Sequence, residues 1–222
     1  MRNITFLFAL FVFTSAVLAA CATVPPVYRY EPATPPDSIA TAKDTIMLED
    51  ERAFIFLTFG RIDEPNVIFQ LGVMNRGNDT LLVVPEIFYY KILDDEKSRL
   101  LYAQSADDVI ERIDETIEEI KSELSLARSV STASSMMFAQ QLREDLTRLA
   151  MLRAEVEKEA WRETALAPQA KAFGKLYFPF SKKASKIELS LLVGTERHRV
   201  VFTRKELAEP VLSAPMLQRV RR

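Results

Sequence analysis

The hydrophobic pattern of this chain changes its period twice. Over residues 45–103 apolar and polar residues alternate, as in NVIFQLGVMN at 66–75, which is typical of strands with one buried face. Residues 104–163 instead place apolar side chains three and four residues apart, the spacing of amphipathic helices. Alternation returns over 164–206, most clearly in KIELSLLVGT at 186–195. The pattern therefore predicts β structure interrupted by a helical insertion.

The helical region contains two apolar stripes separated by VSTASS at 130–135. Ser105 and Asp108 have the spacing of a capping box before the first stripe. Because the connection between the stripes is short, we expect an antiparallel helical hairpin. The stripes consist of Val109, Ile113, Ile117, Ile120, Leu124 and Ala127, and of Leu142, Leu146, Leu149, Arg153, Val156 and Ala160.

Neither strand region is large enough to bury its apolar face alone, since independent sheets need several strands. We therefore expect residues 45–103 and 164–206 to form the two halves of one antiparallel β-sandwich. Residues 104–163 are inserted between them as the hairpin. The predicted fold class is mainly β with a helical insertion, that is α+β.

The first twenty residues have the composition of a secretory signal peptide. A short cationic start, Met1-Arg2-Asn3, precedes the apolar run ITFLFALFVFTSAV at 4–17, and small residues follow. The alternative is a membrane-spanning anchor, which needs about 20 predominantly apolar residues. The run is shorter than that and is not followed by a cationic cluster. We therefore expect residues 1–20 to be removed.

Leu18, Ala19, Ala20 and Cys21 resemble the lipobox of bacterial lipoproteins. The resemblance implies cleavage before Cys21 and attachment of acyl chains such as palmitate to that residue, which would bind it to a lipid membrane. Cys21 is the single cysteine of the sequence, so no disulfide partner competes with this interpretation. Ala22, rather than aspartate, implies outer-membrane sorting in enteric-type bacteria, with the protein facing the periplasm.

The regions flanking the predicted β-sandwich have biased compositions. Residues 21–44 contain Pro25, Pro26, Pro32, Pro35 and Pro36, which predicts a semi-extended tether. Residues 207–222 end in QRVRR and are predicted to be a basic tail.

Two segments on either side of the hairpin resemble the immunoglobulin-like domains of bacterial extracellular lipoproteins of unknown function. They are VMNRGNDTLLVVPEIFYYKI at 73–92, and ALAPQAKAFGKLYFPF at 165–180 with its closing strands. The resemblance implies an immunoglobulin-like β-sandwich with a binding or structural role, and it supplies no catalytic residues. The later positions that match the family pattern are Leu166, Pro168, Gly174, Tyr177, Phe178 and Pro179.

The sequence offers little for catalysis or for a cofactor or metal. A formal net charge of −2 gives no general attraction to nucleic acid. Neither a phosphate-binding loop nor a dinucleotide fingerprint is present among the five glycines. The acidic run from Asp107 to Glu123 lacks the spacing of a calcium loop and is expected to be a solvated helix face. We expect His198 on an exposed strand face and Trp161 as a packing anchor.

Met136, Met137 and Phe138 lie near the predicted hairpin tip. They either form an exposed docking surface for an envelope protein or fill the hairpin's own core, and the sequence leaves both open. We expect a membrane-anchored lipoprotein with a non-catalytic binding or scaffolding role. The alternative is a transport-linked adaptor of the membrane-fusion type, a class that also inserts a helical hairpin into a β domain. This chain lacks room for that family's further β domains.

Overall fold

The computed structural model describes residues 27–33, 39–42, 45–94, 98–128 and 132–207. Arg29–Lys205 form one compact unit. The predicted signal peptide, the predicted lipobox with Cys21, and the predicted basic tail from residue 208 onward lie outside the described residues. No helix in the described ranges is long and apolar enough to cross a membrane.

Strands dominate on both sides of a pair of long helices. Pro85 begins a single turn of 3-10 helix (Pro85–Ile87), which divides the apolar run 80–93 into two strands. In chain order the elements are β1 (Val27–Pro32), β2 (Ile39–Ala42), β3 (Thr45–Glu49), β4 (Ala53–Asp63), β5 (Asn66–Asn75), β6 (Leu81–Val83), β7 (Tyr89–Ile92), β8 (Leu100–Tyr102), α1 (Ala106–Arg128), α2 (Ala133–Glu159), β9 (Thr164–Leu166), β10 (Lys171–Pro179), β11 (Lys186–Val193) and β12 (Glu196–Leu207).

The strands form two sheets, and each sheet draws strands from both sides of the helices. The first sheet has the order β10-β5-β4-β3-β2. The second has the order β1-β12-β11-β6-β9, with β7 pairing with β11 and β8. The pairings β10–β5, β11–β7 and β6–β9 are antiparallel and join strands that precede the helices to strands that follow them. The prediction of a mainly β, α+β fold with antiparallel sheets is confirmed.

One apolar core lies between the two sheets. Alternating side chains of the first sheet, such as Leu57, Phe69 and Phe178, belong to the same buried cluster as Leu189 and Phe202 of the second sheet. The ring centroids of Phe69 and Phe202 are 5.0 Å apart. The two halves of the chain therefore share their main source of hydrophobic stabilisation.

The two helices pack as a hairpin on the outer face of the first sheet. Near the sheet, Val109, Ile113 and Val156 form a cluster with Ile68 and Tyr177. The next cluster outward consists of Leu124, Ala139 and Leu142, all from the hairpin itself. Ser105 Oγ accepts a hydrogen bond from the Asp108 N–H at 3.0 Å, as the predicted cap requires.

The expected semi-extended tether over residues 21–44 is corrected by the residues that the structure describes there, which form the strands β1 and β2. Val27–Pro32 form β1, an edge strand of the second sheet. The Tyr30 side chain is buried and donates a hydrogen bond to the Ala184 carbonyl at 2.7 Å. Burial raises the pKa of the Tyr30 hydroxyl to about 12. Proline is tolerated in an edge strand because one side of that strand needs no N–H donor, so Pro32 does not prevent pairing.

Candidate functional site

The tip of the hairpin presents three apolar side chains to solvent. Met136, Met137 and Phe138, here called the tip residues, are 68%, 76% and 48% exposed. The interpretation that they fill the hairpin's core is therefore wrong, since Ala139 and Leu142 occupy that position. Leu126 and Met151 are also exposed on the two helices, but singly, whereas three consecutive exposed apolar side chains are a candidate contact surface.

The start of α2 is fixed by a capping box that the sequence analysis missed. The Thr132 hydroxyl accepts a hydrogen bond from the Ser135 N–H at 3.2 Å, and the Ser135 hydroxyl accepts one from the Thr132 N–H at 3.1 Å. The usual signature has Glu or Gln at the third helical position, so a serine there was not recognised. This cap, four residues before Met136, fixes the start of α2.

A cluster of charged residues joins the hairpin to the first sheet. Arg61 Nη2 donates to both Glu155 carboxylate oxygens, at 2.8 and 2.9 Å. Lys175 Nζ lies 2.9 Å from Glu155 Oε1 and 2.7 Å from Glu159 Oε2. We call these four residues the base cluster. They connect α2 to two strands, so they restrict both sliding and tilting of the helix on the sheet.

The electrostatics of the base cluster favour the ionised forms of Glu155 and Lys175. Burial disfavours the Glu155 carboxylate, but hydrogen bonds from Lys175 and Arg61 outweigh this effect and lower its pKa. Burial likewise opposes the charge on Lys175, while Glu159 and Glu155 raise its pKa above the ordinary value. The buried Tyr177 hydroxyl has a raised pKa, first because of burial and second because of the nearby Glu155 charge. Glu155 and Lys175 therefore stay charged, and Tyr177 stays neutral, at neutral pH.

Further polar contacts hold the hairpin along its length. Arg112 Nη2 donates to Gln104 Oε1 at 2.8 Å and to Asn66 Oδ1 at 3.3 Å. Arg153 Nε donates to Asp114 Oδ1 at 2.8 Å and links the two helices. The hairpin is thus attached to the β sheets by packing and hydrogen bonds, and not only by its chain connections.

The acidic face of α1 has the solvated position expected from the sequence. Asp107, Asp114, Glu115, Glu118 and Glu119 line an open depression on the outer side of the helix. Within the described ranges, no group of three or more His, Cys, Asp or Glu residues could hold a metal ion.

The prediction for His198 is wrong, whereas the prediction for Trp161 is confirmed. The His198 side chain is only 12% exposed, and its Nε2 lies 2.9 Å from Asp50 Oδ2. Asp50 belongs to the β3–β4 turn of the first sheet and His198 to β12 of the second, so a contact between sheets covers the imidazole. Trp161 is 5% exposed and belongs to the main core cluster.

An aromatic surface on the outer face of the first sheet was not predicted from the sequence. The Phe54 and Phe56 rings are 4.8 Å apart in an edge-to-face arrangement. Phe173 of β10 is 68% exposed, and its ring lies over Gly72 of the neighbouring strand β5. Gly72 pairs on its other side with Phe56 of β4. The run AFIFLTF at 53–59 has apolar residues on both faces of β4, and this pattern could have indicated the aromatic surface. An open groove beside this surface is lined in part by Lys158 and Glu159 of α2.

Comparisons with known proteins do not assign the chain to a family. No protein-family model matches it, and no curated protein matches it. The crystal structure of the yjhA protein from Bacillus subtilis is similar with a TM-score of 0.34 and 10% sequence identity, over 65% of this chain and 76% of that chain. A similarity of this size adds no argument about family or activity.

Proposed function

We propose that this protein is a lipid-anchored lipoprotein of the bacterial cell envelope that acts as a non-catalytic binding or scaffolding module. Acylated Cys21 holds it in the outer membrane, facing the periplasm. The motive for the anchor is the sequence from Leu18 to Cys21 after an apolar run. Two or more acyl chains give stable membrane attachment, whereas one chain gives only marginal binding.

The exposed tip is the observation that carries the binding role. Single exposed apolar side chains are normal on protein surfaces, but here three consecutive ones are exposed at the end of a helical hairpin. The base cluster fixes this hairpin to the sheets with charge-assisted hydrogen bonds. A helical hairpin that is fixed at one end and apolar at the other supports a role in presenting a contact surface at a distance from the two sheets, here called the β body.

We also propose that the two sheets form an immunoglobulin-like β-sandwich. This proposal is supported by two antiparallel sheets that enclose one core and by the resemblance of residues 73–92 and 165–180 to such domains. In this arrangement the sandwich is the scaffold, and the inserted hairpin is the binding element.

Mass spectrometry of the mature N-terminal peptide tests the anchor. We expect a peptide that begins at Cys21 and carries a diacylglyceryl group and further acylation, and we expect the protein to enter the detergent phase. A Cys21→Ser protein should lose both properties. If that variant remained in membranes through an uncut apolar segment, the anchor proposal would be wrong.

Co-purification from intact envelopes separates this role from that of a transport-linked adaptor. An adaptor of the membrane-fusion type should crosslink through the hairpin to subunits of an export complex, and its deletion should reduce efflux. The scaffolding role that we propose predicts unchanged efflux of a fluorescent pump substrate when the gene is deleted.

A further inference from the structure

Several parts of the β body meet at one end of the two sheets. The Phe180 N–H donates to the Pro65 carbonyl in the β4–β5 turn at 2.7 Å. Lys182 Nζ lies 3.3 Å from Glu64 Oε2 in the same turn. Two residues later, the Ala184 carbonyl accepts the hydrogen bond from Tyr30 of β1. We call this end, formed by residues 63–66, 180–186 and Tyr30, the anchor end.

The hairpin runs toward the anchor end. Following α2 backward from its C-terminus, Glu159 lies 2.7 Å from Lys175, and Glu155 lies 2.8 Å from Arg61. Arg148 then lies 3.9 Å from Asp63, at the β4–β5 turn. The partners of successive α2 residues thus lie progressively closer to the anchor end of the first sheet.

The tip residues lie beyond the anchor end. Met136 precedes Arg148 by twelve positions in α2, which corresponds to roughly 18 Å of helix. The hairpin's own cluster of Leu124, Ala139 and Leu142 supports this outer part. The hairpin therefore projects from the same end of the sheets at which Tyr30 of β1 lies.

The chain length between Cys21 and the folded unit limits the distance to a membrane. Cys21 precedes Arg29, the first residue of that unit, by eight residues. Eight residues span at most about 29 Å when fully extended. A bilayer that holds an acylated Cys21 therefore lies within about 29 Å of Arg29 in β1. The tip residues lie roughly 18 Å of helix beyond Arg148, which is less than that distance, so they can reach the same bilayer.

The segments that form the anchor end carry a small excess of basic residues, with three lysines against Asp63 and Glu64, and Glu64 is paired with Lys182. Lys182, Lys183 and Lys186 are all exposed there. Basic side chains near an anionic leaflet are attracted to it within a Debye length. The densest acidic run lies further along α1 from the tip: Asp107–Glu119 contain seven acidic residues and one arginine. Residues 121–144, which include the tip residues, contain three basic and two acidic residues.

We propose that Met136, Met137 and Phe138 insert into the surface of the same membrane that holds Cys21. The tip would be a second point of attachment, with its apolar side chains at the boundary between headgroups and acyl chains. The inference rests on the proposed lipid anchor and specifies the partner of the hairpin as a lipid surface. With two attachment points, the β body has a defined orientation on the bilayer.

The single native cysteine makes a direct test feasible. Because acylation of Cys21 consumes its thiol, a cysteine introduced elsewhere in the full-length lipoprotein is the only one available for labelling. We would label Phe138→Cys with an NBD fluorophore and reconstitute the protein in vesicles of phosphatidylethanolamine and phosphatidylglycerol. The matched control is Thr195→Cys, exposed in the β11–β12 turn at the opposite end of β11 from Lys186.

Lipids with a nitroxide on the acyl chain should quench the label at position 138 several-fold more than the label at 195. Combined Lys182→Glu and Lys183→Glu changes should reduce this quenching in anionic vesicles. Failure of the protein to float with vesicles would overturn both the anchor and this inference. Flotation with equal quenching at the two positions would overturn this inference alone. So would a label at 138 that becomes shielded only when envelope proteins are added, since the partner would then be a protein.

Discussion

Trp161 lies directly against the backbone of Gly174, at the point where the hairpin returns to the sheets. A Cβ atom at position 174 would lie 3.0 Å from the Trp161 Cα and 3.1 Å from its backbone nitrogen. The Trp161 N–H also donates to the Lys175 carbonyl at 2.8 Å. This close approach explains why glycine stands in the middle of β10, where a side chain would otherwise strengthen the strand.

Gly174→Ala should therefore destabilise the protein. The neighbouring atoms belong to the backbone and cannot move aside independently, so we expect a loss of about 1–3 kcal/mol in the free energy of unfolding. Urea unfolding followed by Trp161 fluorescence measures it. The control is Gly77→Ala, whose added Cβ would meet nothing closer than Asn75 Oδ1 at 3.4 Å. Equal stability of the two variants would contradict the proposed close contact.

Glu155→Gln should weaken the attachment of the hairpin to the first sheet. The change removes the charge that receives hydrogen bonds from Arg61 and Lys175, and hydrogen bonds to charged groups contribute about 1.5–3 kcal/mol. Hydrogen exchange should become faster in α2 more than in β5. Glu157→Gln, on the exposed side of the same helix, should alter neither helix exchange nor stability by more than about 0.5 kcal/mol.

Acid should weaken the same attachment. Although burial opposes its charge, Glu155 has a pKa below the usual 4.5 because Lys175 and Arg61 donate hydrogen bonds to it. Its ionised form thus contributes stability above the pKa of the unfolded chain, and this contribution is lost as pH falls through the lowered folded pKa. Thermal melting between pH 7 and pH 3 should show a smaller decrease for Glu155→Gln than for the wild type. Parallel curves for the two proteins would exclude a role for Glu155 in the acid sensitivity.

The tip residues and the hairpin seam should respond differently to the same type of mutation. Met137→Ser with Phe138→Ser alters exposed side chains, so the free energy of unfolding should change by about 0.5 kcal/mol or less. Leu142→Ala, one turn further along α2 and 5% exposed, should cost about 2–5 kcal/mol because it leaves a cavity. Calorimetry of both variants provides the comparison. A large loss for the serine pair would show that the tip packs within the protein.

The elements that were predicted correctly are those with local sequence signals. The hairpin follows from the spacing of Val109, Ile113 and Val156, and β11 follows from strict alternation. β1 was missed because its two tyrosines alternate for only six residues among prolines. Its burial depends on pairing with β12 at the far end of the chain, which no local pattern encodes.

The candidate site was predictable only in part, for the same physical reason. Apolar residues between two helical stripes indicated the tip from local sequence alone. The base cluster joins Arg61 to Glu155, which are 94 residues apart, and many other Arg–Glu pairs in this charged sequence were equally plausible. The pairing of Asp50 with His198 likewise depends on how the two sheets face each other.

The hairpin should be removable if its two ends are cut at the correct residues. The Gln104 N–H donates to the Tyr177 carbonyl and the Trp161 N–H to the Lys175 carbonyl, each at 2.8 Å. The two ends therefore meet β10 two residues apart, roughly 7 Å along the strand, and a short Gly-Ser linker spans that distance.

Replacing residues 105–159 with such a linker should leave a folded β protein that melts cooperatively. Ile68 and Tyr177 lose their helical cover in this variant, so both are changed to threonine to limit association through the exposed face.

The matched deletion of residues 104–163 also removes Trp161, which is buried in the core between the sheets. Loss of a buried tryptophan costs about 3–5 kcal/mol, a large part of the stability of a typical domain. We therefore expect this second variant to aggregate or to melt far below the first in calorimetry. Equal melting temperatures would show that Trp161 does not stabilise the β core once the hairpin is absent.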